Sequence, residues 1–240
     1  MRARLTLAHH LDRWEPRLRR LAEKLGWPQA WLQEFQTYLA QPRMTPEEMW
    51  VRYTLKRLDA EQRLKPVMTE AEALAFYTEC DYMLWRNLVH RRHSAWRRVL
   101  WTMRGTHGAL MEYGCGIAPV TTYCVRQKPQ WQYHVVDLAA APHFRYAQWR
   151  LRDVARAVAP YNVITALDVF EHLSDPLAAA KWLRTQLAPG GVLHWNFVGN
   201  PLRNDLDLAT EAQREETCAY LYRELELVWE RDGYRVSRRR

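Results

Sequence analysis

The sequence holds only four cysteines, Cys80, Cys115, Cys124 and Cys218, and none of them forms a C-x-x-C pair. That spacing gathers no tetrahedral zinc site, and the four read as reduced thiols. No window approaches the ~18 uncharged apolar residues that a membrane span requires. The start, Met1-Arg-Ala-Arg4, lacks the apolar stretch of a secretory signal, and Asp12 and Glu15 argue against a transit peptide. A cytoplasmic protein without a membrane span is the expectation. Internal repeats and low-complexity segments are also absent, so the 240 residues, 48% of them hydrophobic, are expected to bury one core or one core with an accessory subdomain.

What the chain has in excess is positive charge, a formal +8, carried mostly by arginine. A basic surface attracts RNA, anionic lipid and anionic small molecules through the same long-range field, so charge alone selects none of them. His90 and His93 could share a helix face as metal ligands, but Arg91, Arg92, Arg97 and Arg98 surround them and repel a cation. A solvated face is the preferred reading, and no metal is expected.

Periodicity divides the chain. Leu7, Leu11, Trp14, Leu18, Leu21 and Leu25 recur at steps of four and three, one stripe of a helix that ends near Gly26-Trp-Pro28. Trp31, Leu32, Phe35 and Leu39 mark a second helix. Thr45-Pro-Glu-Glu48 and Thr69-Glu-Ala-Glu72 read as capping boxes, the first with proline at the first helical position. Residues 1–104 are therefore expected to form a helical region, and 105–240 an α/β domain. In the latter, short apolar runs at 109–113, 133–137, 162–168 and 192–197 have the composition of buried parallel strands. Asp232-Gly233, set between the alternating run 224–230 and Tyr234-Arg-Val236, signals a C-terminal β-hairpin.

The chemistry concentrates at Glu112-Tyr113-Gly114-Cys115-Gly116, where a strand runs into a helix. Glycines there allow a tight turn and a close approach of backbone to ligand, and the helix start offers free N–H groups. Asp137 closes the next strand about 20 residues on, where a carboxylate can accept both ribose hydroxyls of an adenosine ligand.

These residues resemble the class I S-adenosylmethionine-dependent methyltransferases. Glu112 to Gly116 is similar to the family's first motif and Asp137 to its ribose-binding acid. The stretch 162–176, with Asp168, Val169, Phe170, Glu171 and His172, resembles its fourth strand and loop, and Leu187-Ala-Pro-Gly-Gly191 the turn before its fifth strand. The resemblance implies a doubly wound, mostly parallel sheet with S-adenosylmethionine as cofactor and S-adenosylhomocysteine as product. It implies cofactor contacts from Glu112, Tyr113, Gly114, Cys115, Gly116, Asp137, Leu138, Asp168 and Val169. Two departures stand out: Ala118 replaces the third glycine of the first motif and Pro119 follows it, and the interval from Asp137 to the fourth strand is short. A third strand is placed near Phe144 to Leu151, which makes Trp149, Arg150 and Leu151 candidates for the adenine wall and Asp153 a weaker candidate for the adenine amino group. Tyr77 or Tyr82 is the candidate to close the pocket, with core packing as the alternative role for either, and His172, having an unperturbed pKa near ~6.5, is the candidate base, with a loop-anchoring histidine as the alternative.

The Asp168-Val-Phe-Glu-His172 loop resembles natural-product and quinone-type methyltransferases, so a small-molecule acceptor is the leading partner. The alternatives are an RNA methyltransferase that binds phosphates through Arg86, Arg91, Arg92, Arg97, Arg98 and Arg104, and a non-catalytic adenosine-binding protein. RNA held by six or so arginine contacts would lose ~10³ or more in affinity between roughly 50 and 200 mM salt. Weak, nonspecific RNA binding is expected in a filter-binding titration, and charge reversal at Arg91, Arg92, Arg97 and Arg98 is expected to leave acceptor turnover intact. Site-selective RNA binding that the reversal abolishes, together with methyl label appearing in RNA, would overturn the small-molecule choice.

Overall fold

The computed structural model describes residues 29–89, 95–197 and 206–240. The leucine stripe at 7–25, the pair His90 and His93, Arg91 and Arg92 all lie outside them. Two compact units divide the chain at Asp59 and Ala60. In the first, helix α1 (Gln29–Tyr38) buries Phe35, and α2 (Pro46–Arg63) starts with Met49 and Trp50 buried. The box at its start is formed: the Thr45 N–H donates to Glu48 Oε2 at 2.8 Å, and the Glu48 N–H donates to Thr45 Oγ1 at 3.2 Å.

The second unit holds α3 (Glu70–Glu79), α4 (Tyr82–Val89) and α5 (Ala95–Thr102), then an alternation of strands and helices. These are β1 (Ala109–Tyr113), α6 (Pro119–Gln127), β2 (Gln132–Val136), α7 (Pro142–Arg150), β3 (Tyr161–Ala166), a 3-10 turn (Phe170–His172), α8 (Pro176–Gln186), β4 (Leu187–Asn196), α9 (Glu211–Glu224), β5 (Leu225–Arg231) and β6 (Tyr234–Arg239). Thr69 caps α3 through the second predicted box. No helix among the described residues is long and apolar enough to cross a membrane.

The strands form one sheet in the order β2-β1-β3-β4-β6-β5, parallel across the first four, with β6 antiparallel to β4 and to β5. Alternation along each strand feeds two cores. Met111, Ile164, Leu193 and Trp195 pack with Leu183 of α8 and Leu221 of α9, while Leu110, Val163 and Val192 pack with Val99 of α5 and Val120 of α6. Full burial of one such side chain contributes about 1.5–3 kcal/mol, which is why a sheet covered on both faces carries near-continuous apolar strands. The connection from β1 leads outward to β2, and β3 returns to the other side of β1. That reversal places a crevice at the C-terminal ends of β1 and β3, where open α/β sheets bind ligands.

The strand expected near Phe144 to Leu151 is instead α7. Phe144, Ala147 and Leu151 stand three and four residues apart and pack together with Cys115 and Ala118, a helical period, and Pro142 sits in the helix's first turn. What remains of a third strand is one bridge. The Tyr133 N–H donates to the Ala155 carbonyl at 2.9 Å, and the Ala157 N–H donates back to the Tyr133 carbonyl at 3.0 Å. The hairpin turns at Asp232 and Gly233, both at positive φ (52° and 75°), the backbone that a tight two-residue turn demands.

His194 joins three elements inside the second core. It is fully buried, its Nε2 is 2.7 Å from Thr102 Oγ1 of α5, and its Nδ1 is 2.7 Å from the Tyr234 hydroxyl of β6. Thr102 gives its own proton to the Val99 carbonyl, so it accepts from Nε2–H, and Nδ1 accepts from Tyr234. Burial, with Arg98 nearby, pushes the imidazole pKa down to about 3. The unfolded ring takes up a proton near ~6.5, so the native state is progressively disfavoured as pH falls from there toward 3. Glu112, pushed up to about 7 by burial, works in the opposite sense, losing stability as pH rises from the ordinary carboxyl range toward 7. Comparing wild type with His194→Gln cancels that contribution. Urea unfolding at pH 7 and at pH 4.5 is expected to show wild type losing about 2–3 kcal/mol relative to the variant between the two; parallel losses would show that His194 is not neutral in the fold.

Candidate functional site

The loop after β1 is braced from beneath. Glu112 is 5% exposed, and its two oxygens accept the N–H groups of Val120 (3.3 Å) and Thr121 (2.7 Å), which pins the start of α6 to the strand. Gly114 and Gly116 take φ of +63° and +56°, and Ala118, where the family's third glycine would stand, takes +53°. The left-handed backbone is thus kept at a residue that carries a Cβ. A Cβ on Gly114 would fall 2.3 Å from Val169 Cγ2, so this glycine is required by the close approach of the loop after β3.

Asp137 ties this loop to the end of β2. Its Oδ2 accepts the Gly116 N–H at 2.7 Å and its Oδ1 accepts the Leu138 N–H at 2.7 Å, while His143 Nε2 stands 3.4 Å from Oδ1. At the other side of the crevice Asp168, at φ +55°, exchanges two hydrogen bonds with Asn196: its N–H donates to Asn196 Oδ1 at 2.7 Å, and Asn196 Nδ2 donates to Asp168 Oδ1 at 2.6 Å. The ends of β3 and β4 are locked by that exchange. His172 lies on the 3-10 turn just beyond.

Tyr77 of α3 spans the crevice. Its ring centroid is 6.3 Å from that of His143 and 6.2 Å from that of His172. Burial raises its phenol pKa well above the ordinary value, against the opposing effect of Arg86, so the ring is neutral. Gly114, Gly116, Asp137, Leu138, Val169, His172 and Tyr77 therefore meet at one place. Cys115 is buried against α7, and Tyr113 turns toward Trp182 of α8, their rings 5.7 Å apart. Trp149, Arg150 and Leu151 are not on a strand: they end α7, with Trp149 stacked on Tyr146, Arg150 3.5 Å from the Ile117 carbonyl and Leu151 packed below. Asp153 is exposed and pairs with Arg152. Tyr82 packs against the cluster of Met68, Phe76 and Leu206 that Tyr77 also borders.

Several residues here carry no sequence signal. Asn87 of α4 would lie 3.1 Å from a Cβ on Gly116, His143 stands beside Asp137, and Asp207 and Arg214 lie behind His172. His143 Nδ1 and Glu171 Oε2 are buried without a hydrogen-bond partner. A separate cavity of about 160 Å³ lies at the opposite, N-terminal ends of the strands, between Trp101, Trp131, Asn162 and Gly190. The crevice chemistry does not reach it.

A solved structure of an O-methyltransferase family protein from Burkholderia thailandensis superposes with a TM-score of 0.53 at 14% identity, covering 80% of this chain and 71% of that one, and it shares the fold. A malonyl-[acyl-carrier protein] O-methyltransferase from Halalkalibacterium halodurans is 27% identical over 106 residues, 38% of this chain and 39% of its own length. An uncharacterized protein from Synechococcus sp. is 28% identical over 100 residues, 35% of this chain and 24% of its own length. The chain thus spans well under half the length of either curated relative. A sequence model described as "Methyltransferase domain" matches residues 85–237, from α4 through the hairpin. With that match over more than half of its length, the chain belongs to the methyltransferase-domain family.

Proposed function

We propose that the chain transfers a methyl group from S-adenosylmethionine to a small-molecule acceptor. The observation that carries this reading is the tie between the Gly114–Gly116 loop and Asp137 at the sheet's switch point. Asp137 Oδ2 accepts the Gly116 N–H and keeps a further lone pair, while Oδ1 faces the Leu138 N–H and His143 Nε2, so the carboxylate can take a ribose hydroxyl while the loop stays fixed. When bound, the cofactor supplies an electrophilic methyl carbon on a positively charged sulfur.

In this reading Gly114, Cys115, Gly116 and Leu138 line the cofactor with backbone, and Glu112 keeps the loop in shape from below. Tyr77 covers the pocket, and Asp168 with Val169 forms the opposing lip. Trp149, Arg150 and Leu151 border the adenine side from the end of α7. Helices α3 and α4, which share a unit with the sheet, serve as the acceptor's cover. Positioning and exclusion of water supply much of the acceleration in methyl transfer, and Tyr77 serves both. His172 takes the proton of an acceptor that carries one.

Two arginines of the basic helices support a small molecule over RNA. Arg97 lies over the Trp96 ring at 5.2 Å, and Arg98 sits between Trp229 (4.6 Å) and Tyr234 (4.9 Å), so both guanidinium groups already face aromatic partners. The name of the Halalkalibacterium halodurans relative, an O-methyltransferase, agrees with methyl transfer.

Asp137→Ala is expected to weaken S-adenosylmethionine binding by about 1–3 kcal/mol, the cost of leaving ribose hydroxyls without a charged acceptor. Gly114→Val should be worse, since its branched side chain meets Val169 at a positive φ. Calorimetry on folded variants checks both, and unchanged affinity in either would remove the loop from the site. Incubating wild type with methyl-labelled cofactor and a panel of phenols, amines, thiols and carboxylic acids is expected to label a panel member, with none labelled by Asp137→Ala at low cofactor.

A further inference from the structure

His172 is held from one side by a segment that the sequence does not connect to it. Its Nδ1 lies 3.1 Å from the Leu206 carbonyl oxygen and 3.3 Å from Asp207 Oδ1. Both neighbours only accept, so the ring proton belongs on Nδ1, and the neutral imidazole keeps Nε2 as its basic nitrogen. Asp207 is itself fixed. Its side chain is 3% exposed, and its other oxygen receives Arg214 Nη2 of α9 at 3.1 Å. Leu208 and Ala209, which follow it, donate their N–H groups to the Glu171 carbonyl at 2.9 and 3.1 Å, so the segment is bonded to the 3-10 turn that carries His172.

We propose that Asp207 is a positioning residue which holds His172 with Nδ1 protonated and Nε2 free, and that the site takes acceptors whose nucleophilic atom must give up a proton, a hydroxyl or an ammonium. The proposal rests on the methyltransferase reading above. In the step it describes, the acceptor's O–H or N–H bond breaks and its proton passes to His172 Nε2. A lone pair of the acceptor atom forms the bond to the methyl carbon, the carbon–sulfur bond breaks, and its electron pair stays on sulfur as a neutral thioether. The imidazolium rests against the Asp207 carboxylate and later returns its proton to water. An acceptor that arrives already ionised, such as a carboxylate, has no use for this arrangement.

The acidic and carbonyl groups around His172 agree in sign. Burial disfavours the imidazolium, but Asp207, Glu171 and the Leu206 carbonyl outweigh it and raise the pKa. Glu171, 2% exposed, is itself raised by burial, with Asp168 and Asp207 adding to the rise and His172 opposing it. Tyr77 faces the ring as a neutral phenol; Arg86 acts on that phenol and Arg214 on Asp207.

The test uses the full chain, labelled with ¹⁵N-histidine and saturated with S-adenosylhomocysteine, and follows His172 by NMR as pH is varied. Wild type is expected to show the Nδ1–H tautomer and a midpoint above ~6.5, with Asp207→Asn lowering that midpoint by about one unit or more and Asp207→Glu restoring it. Since Asp207→Asn leaves the Arg214 charge without its partner carboxylate, Asp207→Asn with Arg214→Gln serves as the second variant and is expected to show the same lowered midpoint. In turnover of a panel phenol or amine, the acid limb of the kcat profile should move with the midpoint and kcat should fall while KM for the cofactor is unchanged. A proton found on Nε2 in wild type, or a midpoint that does not move in the folded variants, would overturn the proposal. Exclusive labelling of carboxylic acids would overturn the acceptor class. Failure to bind S-adenosylhomocysteine in wild type would instead sink the methyltransferase reading, and calorimetry reports that separately from the histidine titration.

Discussion

One carboxylate holds the crevice together. Asp137 directly follows β2, and the atoms it binds belong to two loops: the Gly116 N–H after β1 and the Leu138 N–H after β2. Charge-assisted bonds from backbone N–H to carboxylate are among the stronger neutral-to-ion contacts, and here two of them fix the relative height of the two loops. Once that is fixed, Gly114 meets Val169, Gly116 meets Asn87, and Tyr77 finds His143 and His172 on either side. The same residue serves as scaffold and as candidate ligand, so its own geometry is set before any ligand arrives.

Glu112 and His194, two buried titratable groups of the sheet, do different work. Glu112 keeps a carboxyl under the loop at the cost of desolvation, which its bonds to Val120 and Thr121 only partly offset, so its pKa is driven toward 7. His194 remains a neutral connector between α5, β4 and β6. Both sit on the face of the sheet that α5 and α6 cover. On that face His194 makes the frame sensitive to acid and Glu112 makes it sensitive to a rise in pH, while the crevice rests on Asp137, Asp168 and Asn196.

Most of the strands were legible because burial on both faces forces short apolar runs, and β1, β2 and β3 begin and end within a residue or two of those runs. The hairpin was legible from Asp232-Gly233, whose positive φ few other pairs accept. The family's motif order pointed to Gly114, Gly116 and Asp137, and these do meet. The misplaced third strand shows the limit: Phe144, Ala147 and Leu151 are as apolar as a strand, and only their spacing reveals the helix. Asn87, His143 and Asp207 were illegible for another reason. Each becomes significant only through a neighbour distant in sequence, and an asparagine, a histidine and an aspartate with no local pattern announce nothing about which loop they will face.

Replacing a full third strand by a single bridge leaves β2 at the border of the sheet, and a border strand is a template for unwanted pairing with another chain. Here the template is poor. β2 is five residues long, and its outer rim already gives the Tyr133 N–H and C=O to Ala155 and Ala157, in a segment that also carries Arg152, Asp153 and Arg156. The far border, β5, carries Glu226, Glu230 and Arg231 among its exposed positions. A shorter sheet has thus been combined with two borders that resist aggregation, one blunted by the remnant strand and the other by charge.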